Sequence, residues 1–161
     1  SRKRGMPKKA KKNEREEWYK KALTWKKERI INWHVSFKNA HFIDTSGIVS
    51  AIRTCMQEGI KKVQGTYTDE YLLDGGLKLK EGYRFQKTIV RGDSKEPLIA
   101  LAATIAKVVR DKYMERLAKK YPEYNFEIHK GYGTKIHREI IKQHGLTKIH
   151  RKTFCKKFTL M

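Results

Sequence analysis

The chain has 161 residues, 39% of them apolar, and its 38 Lys and Arg against 17 Asp and Glu leave a formal charge of +21. That length suits one domain around a single hydrophobic core, with an apolar content low for a globular protein yet above the disordered range. So large an excess of one sign repels itself in a folded chain and calls for a polyanionic partner: nucleic acid first, then ribosomal RNA or an anionic membrane surface. Cys55 and Cys155 stand alone with no CxxC spacing, which argues for reduced thiols and a cytoplasmic setting instead of a disulfide scaffold. The longest apolar run, residues 98–106, is far too short to span a bilayer, and no signal-peptide pattern opens the chain. A soluble monomer without membrane association is expected, and because the first residue is Ser the sequence reads as a fragment or trimmed product.

Residues 1–12 hold seven basic residues and no acid, the pattern of a flexible arm, leaving 13–161 as the folded domain. Asn13 offers an N-cap, and Glu14, Glu16 and Glu17 suit the positive end of a helix dipole. Trp18, Ala22 and Trp25 then recur at i, i+4, i+7, predicting a helix over about 14–28. From 30 to 37 the period changes to two: Ile31, Trp33, Val35 and Phe37 alternate with polar residues, as in a half-buried strand. After turn residues Asp44 to Gly47, the stripe Ile48, Ala51, Ile52, Cys55, Met56 predicts a helix stopped at Gly59. Tyr71-Leu72-Leu73 is a short strand running into Asp74-Gly75-Gly76, and Phe85 to Val90 is a second, ending at Arg91-Gly92-Asp93-Ser94. Ser94 is placed to cap a long helix over 95–119, with Pro97 tolerated in its first turn and Leu98, Leu101, Ile105 and Val109 on its core side. The loop His129 to Thr134 precedes a helix at 135–143 stopped by Gly145, and a basic, aromatic tail closes the chain. Strands alternating with helices make the fold class α/β.

Three places could carry chemistry. Asp74 stands at a strand's C-terminal end beside two glycines, a common station for holding a metal or substrate, although an Asp-Gly turn that merely closes the strand is the commoner meaning of such local sequence. Asp111 shares a helix face with Ala100, Thr104 and Lys107, either open to an approaching partner or engaged in an i,i+4 ion pair with Lys107. In HKGYGT, Tyr132 between Gly131 and Gly133 is suited to stacking on a sugar or base, with Lys130 adding charge, unless the ring folds back onto the core. The loop lacks a phosphate-binding GxxxxGK[ST] pattern, and the histidines at 129, 137, 144 and 150 are too widely spaced for familiar zinc pairs.

Taken together these pieces resemble the ribonuclease HII family, through LLDGG at 72–76, IVRGDSKEPLIALAATIAKVVRDKYM at 89–114, YPEY at 121–124, HKGYGTKIH at 129–137 and KIHRKTF at 148–154. The resemblance implies a ribonuclease H-like fold, a mixed sheet with flanking helices, and a site of four carboxylates that binds Mg2+ or Mn2+. Asp74 would be the third carboxylate and Asp111 the fourth, the two gripping a cation together. Tyr132 would contact the sugar beside an RNA–DNA junction, and Ser94, Lys95, Lys130 and Gly131 fall in segments along the nucleic-acid backbone. His150 and Arg151 match the family's closing motif without an assigned role. The family's first two carboxylates lie in an Asp-Glu-Ala-Gly-Arg-Gly motif with no counterpart here; Asp69-Glu70 has no glycine-rich loop after it. The domain is therefore expected to lack its first strands, leaving an apolar edge or groove uncovered.

The implied activity is endonucleolytic hydrolysis of the RNA strand of RNA–DNA hybrids, or at ribonucleotides embedded in duplex DNA, giving 5′-phosphate and 3′-hydroxyl ends. Two dications about 3.5–4 Å apart both activate water and offset charge on the leaving oxygen, and holding them takes several anionic oxygens. Two carboxylates alone should bind metal weakly, so the isolated chain should cleave little. A non-catalytic nucleic-acid-binding module and an RNA-structural protein are the rivals, the second disfavoured by the ordered motifs.

Overall fold

The computed structural model describes residues 12–159, with the side chains of Phe158 and Thr159 left aside. The predicted arm, apart from Lys12, lies outside them. The described residues divide into two compact units, 12–36 with 53–108 and 37–52 with 109–159.

The first unit opens with α1, Lys12–Lys27, acidic at its start and basic in its last turn, as the helix dipole favours. Ala22 is wholly buried, and Trp18 and Trp25 meet on one side with ring centroids 6.2 Å apart. The predicted strand over 30–37 does not form: residues 31–39 have no regular structure. An alternating pattern becomes a strand only where a neighbour supplies backbone partners, and here the segment turns back onto α1 instead. Trp33 donates its indole N–H to the Ala22 carbonyl at 3.3 Å, and Lys26 caps the Trp33 carbonyl at 2.7 Å while lying over its ring.

Helix α2 spans Ala40–Lys62, opened by Asn39, whose side-chain oxygen accepts the Phe42 N–H at 2.8 Å. The predicted turn at Asp44–Gly47 is instead helical up to a kink at Gly47 (φ 81°, ψ 160°). Gly59 does not stop the helix. The stop comes at Gln64, left-handed at φ 62°, with Gly65 N–H reaching back to the Ile60 carbonyl and Gln64 N–H to that of Lys61.

Strands β1 (Tyr71–Asp74) and β2 (Gln86–Ile89) pair in parallel, Tyr71 opposite Gln86 and Asp74 opposite Ile89. Among the described residues the sheet has these two strands, smaller than the mixed sheet expected. Residues 75–85 join them without a helix; Leu79 is buried there, its N–H held by the Gln86 side chain at 2.8 Å. Beyond β2 the chain enters a 3-10 turn, Gly92–Ser94, and then α3, Pro97–Lys120. The long helix thus starts two residues later than predicted. Ser94 does not cap it: the Leu98 N–H turns to the Glu96 carboxylate at 3.4 Å, and Pro97, which has no N–H to satisfy, takes the first helical position. Ile99, Ile105 and Val108 are buried along α3, whereas Leu98, predicted to face the core, is exposed.

Gly92 is itself buried, and a Cβ there would lie 2.6 Å from Ile99 Cδ1 and 3.2 Å from Asp74 Oδ1. Gly92→Ala is therefore expected to lower stability by about 1–3 kcal/mol, read as an earlier midpoint in urea unfolding. An unchanged midpoint would mean the turn yields freely.

The second unit gathers the other half of α3 with a 3-10 turn at Pro122–Tyr124, α4 (Phe126–His129), α5 (Lys135–His144) and α6 (Lys152–Thr159). Helix α5 starts where predicted and runs one residue further, to His144: the Thr134 hydroxyl accepts the His137 N–H, and Gly145 at φ 79° ends it. The core is Met114, Tyr124, Phe126 and Ile140, with Leu117, Ala118, Tyr121 and Ile149 packed around. Helix α6 is capped from far away in sequence. Asp44 accepts the Lys152 N–H at 2.7 Å and the Thr153 N–H at 3.0 Å, together with the Thr153 hydroxyl. The Thr153 hydroxyl, with the two amides, holds the Asp44 carboxyl below its usual pKa.

Candidate active site

In the first unit Asp74 is the last residue of β1, and the ladder continues one step further through Gly75 N–H to the Ile89 carbonyl at 3.1 Å. Gly75 is left-handed (φ 66°), and space is open where Cβ atoms of Gly75 and Gly76 would project. Asp74 Oδ1 accepts the Gly92 N–H at 2.8 Å, so one carboxylate oxygen is fixed by backbone from the turn after β2. Ser94 and Lys95 belong to that same turn and are exposed; Ser94 Oγ contacts the Asp93 carboxylate at 3.4 Å. Asp74, Ser94 and Lys95 are thus brought into one local arrangement. The amide of Gly92 as an anchor for the strand-end acid had no separate sequence signal.

The second unit holds Asp111, Lys130, Gly131 and Tyr132. The Asp111 side chain is largely covered, at 15% exposure, with the Arg110 guanidinium 3.9 Å away. Arg110 is the residue sequence reasoning passed over. It donates to the Lys130 carbonyl at 2.8 Å and lies under the Tyr132 ring, 4.7 Å from its centroid. Tyr132 does not fold back onto the core; it stays 55% exposed. Lys130 is left-handed (φ 51°), and its ammonium meets Glu115 at 2.8 Å, so its charge is shared within the unit. Gly131 needs its lack of a side chain, being at φ 75° with Met114 Cε 3.0 Å from where a Cβ would sit.

Three of the histidines set aside as too far apart in sequence come together in this unit. His129 and His137 stack at 4.0 Å, and His137 Nε2 lies 3.2 Å from His150 Nε2. Fixed donors and acceptors at both ends settle their protons. Thr147 N–H donates to His150 Nδ1, so that ring carries its proton on Nε2 and donates to His137 Nε2. At the other end the Tyr132 carbonyl can only accept, so His137 donates to it from Nδ1 at 2.9 Å. Both ends require the same polarity, with one proton on each ring.

Burial, then the neighbouring His137, pushes the His150 pKa down from 6.5 to about 4, and burial lowers that of His137. Since the folded state keeps His150 neutral, the unfolded chain takes up its proton first. This contribution to stability is full above pH 6.5, falls as the pH drops, and is gone below about 4. Thermal melts should show a loss of about 3 kcal/mol across that window. His150→Gln should flatten this part of the profile; an unaltered slope would count against the assignment.

Beside Arg110 and the glycines of the loop lies a cavity of about 480 Å3 within the second unit, walled by apolar residues such as Phe37, Met114 and Phe154. Lys38, Arg110, Arg138, Lys148 and Arg151 contribute to its lining and no acid does, so it presents positive potential. Among the described residues no three His, Cys, Asp or Glu side chains are grouped as a metal site would require. The hard oxygens of Asp74 in the first unit and of Asp111 in the second suit Mg2+ or Mn2+ in kind, and a full donor set for such an ion takes several more. Neither Cys55 nor Cys155 forms a disulfide, and no helix among the described residues is long and apolar enough to cross a membrane.

The chain is 46% identical to the ribonuclease HII of Endomicrobium trichonymphae over 129 residues, 80% of this chain and 60% of that protein. It is 44% identical to that of Fusobacterium nucleatum over 127 residues, 76% of this chain and 59% of the relative. With a ribonuclease HII of Prochlorococcus marinus the identity is 39% over 150 residues, 88% of this chain and 73% of the relative. The chain thus spans about three-fifths of the length of the first two of these relatives. The family's sequence pattern matches residues 7–157, taking in the strand-end acid, the Arg-Asp helix, the tyrosine loop and the histidines that close it, and the chain belongs to the ribonuclease HII family.

Proposed function

We propose that the chain carries part of an endoribonuclease that cuts the RNA strand of RNA–DNA hybrids and ribonucleotides embedded in duplex DNA, in the cytoplasm and as a monomer. The observation that carries this reading is the strand-end Asp74, its Oδ1 tied to Gly92 N–H in the same turn that displays Ser94 and Lys95. That tie leaves the second carboxylate oxygen for other work. In this reading Asp74 and Asp111 are two carboxylates of a divalent-cation site, Ser94 and Lys95 lie along the nucleic-acid backbone with Lys130 and Gly131, and Tyr132 packs on the sugar at the junction. Bound Mg2+ or Mn2+ would supply an activated water and offset the charge of the leaving oxygen.

The charge of +21 draws the duplex in, and binding should weaken steeply with salt. The reading is tested with an end-labelled duplex holding one ribonucleotide. Cleavage, however slow, should need Mn2+ or Mg2+, stop with EDTA, and leave 5′-phosphate and 3′-hydroxyl ends. Products with a 2′,3′-cyclic phosphate would refute it. The exposed Tyr132 and the basic cavity equally favour a second reading, a binding module without catalysis. Metal-independent binding that survives both Asp74→Asn and Asp111→Asn, with no cleavage at any metal concentration, would select it.

A further inference from the structure

The closing motif around His150 and the histidines of the tyrosine loop take no part in the reading above, yet they are joined to its most exposed element. We propose that His137 and His150 are positioning residues for Tyr132, a hydrogen-bonded chain running from Thr147 through His150 and His137 to the Tyr132 carbonyl that fixes how the ring is presented to a nucleic-acid sugar. This rests on the reading of Tyr132 as the sugar contact.

The chain is continuous. Thr147 donates to His150 Nδ1 from its N–H at 3.0 Å and its hydroxyl at 2.8 Å; His150 Nε2 donates to His137 Nε2; His137 Nδ1 donates to the Tyr132 carbonyl. All three histidines are buried, at 5–6% exposure, so these bonds face little competition from water. Tyr132 is held at its backbone while its ring stays exposed. Its carbonyl also accepts Thr134 N–H at 2.8 Å, and its own N–H goes to the His129 carbonyl at 2.9 Å. His129 is locked in turn, accepting Gly131 N–H at Nδ1 and donating from Nε2 to the Tyr124 carbonyl. Arg110 then fixes one face of the ring. A tyrosine between two glycines has little local support of its own, and this network supplies it. It explains why residues 129, 137 and 150, drawn from two motifs of the family resemblance, occupy one buried cluster.

The test uses the 161-residue chain without divalent metal, comparing by fluorescence anisotropy a DNA duplex holding one ribonucleotide with the same duplex in all-DNA form. The wild type should prefer the first, and Tyr132→Ala should erase the preference. His137→Phe should cut it by about tenfold, the worth of one buried hydrogen bond, while all-DNA affinity stays level. His137→Asn, which can still donate to the Tyr132 carbonyl, should retain most of it. A folded His137→Phe with full preference overturns the proposal. If the wild type shows no preference, it is the sugar-contact reading that fails. Two-bond proton–nitrogen NMR then judges the positioning chain separately: the Nε2–H form of His150 and Nδ1–H form of His137 support it, together with a shifted Tyr132 environment in His150→Gln. The opposite tautomers, or an undisturbed Tyr132, overturn it.

Discussion

Replacing Asp74 by Asn is expected to leave no detectable metal-dependent cleavage of a duplex holding a single ribonucleotide. The substitution keeps size and an acceptor oxygen, so the bond from Gly92 N–H can persist and the strand end should hold its shape. What disappears is the anion. A dication in water gives up its hydration shell only for strong donors, and a neutral amide at a site already short of carboxylates is a poor exchange. Asp111→Asn should have a similar consequence from the helix side. The unaltered 161 residues should themselves cut roughly a hundredfold or more slowly than the full-length Endomicrobium trichonymphae relative, because two carboxylates bind such ions weakly. Parallel time courses, with folding of each variant checked by circular dichroism, decide the matter. Turnover comparable to the relative's, or full activity in Asp74→Asn, would show that the chemistry resides elsewhere.

The largest stability change should come from Phe126→Ala. Phe126 is 2% exposed, the largest fully buried side chain among the described residues. It stacks on Tyr124 at 5.5 Å and nearly parallel, meets Tyr121 edge-on, and takes the edges of His129 and His137. Truncation removes those contacts beside an existing cavity that Phe126 already helps to line, so collapse of the neighbours offers limited relief. A loss of about 3–5 kcal/mol is expected, a large share of the 5–15 kcal/mol typical of a domain. Urea unfolding should register it, with Phe126→Leu, closer in volume, costing under about 1.5 kcal/mol. Equal losses for both would mean that ring geometry, and not volume, governs the site.

Much of this architecture could be read from residue order. The helix at Lys12–Lys27, the strand-end Asp74, and α5 with its Gly145 stop all follow from local patterning and end chemistry. The misreadings share a cause. Residues 30–37 carried a valid alternation, but whether a strand forms depends on a partner the segment cannot encode, and Trp33 found α1 instead. Gly59 suggests a stop by its identity, yet nothing crowds it and its backbone stays helical, whereas Gln64 ends the helix by adopting a conformation its identity does not advertise. The site shows the same division. Asp74, Asp111 and Tyr132 stood out because an acid at a strand end, an acid on a helix face and a ring between glycines are local signals. Arg110 and the three histidines did not, since their meaning lies in contacts across 20, 5 and 13 residues.

The cap that Asp44 places on α6 bridges 108 residues of sequence. During synthesis at roughly 5–20 residues per second, that carboxylate waits on the order of 5–20 s after leaving the peptidyl-transfer centre before its partners exist. The second unit, assembled from an early stretch and a late one, therefore cannot take this cap until residues 152 and 153 have been made. Residues 53–108, which emerge in between, have that interval to themselves before the early stretch meets its late partners.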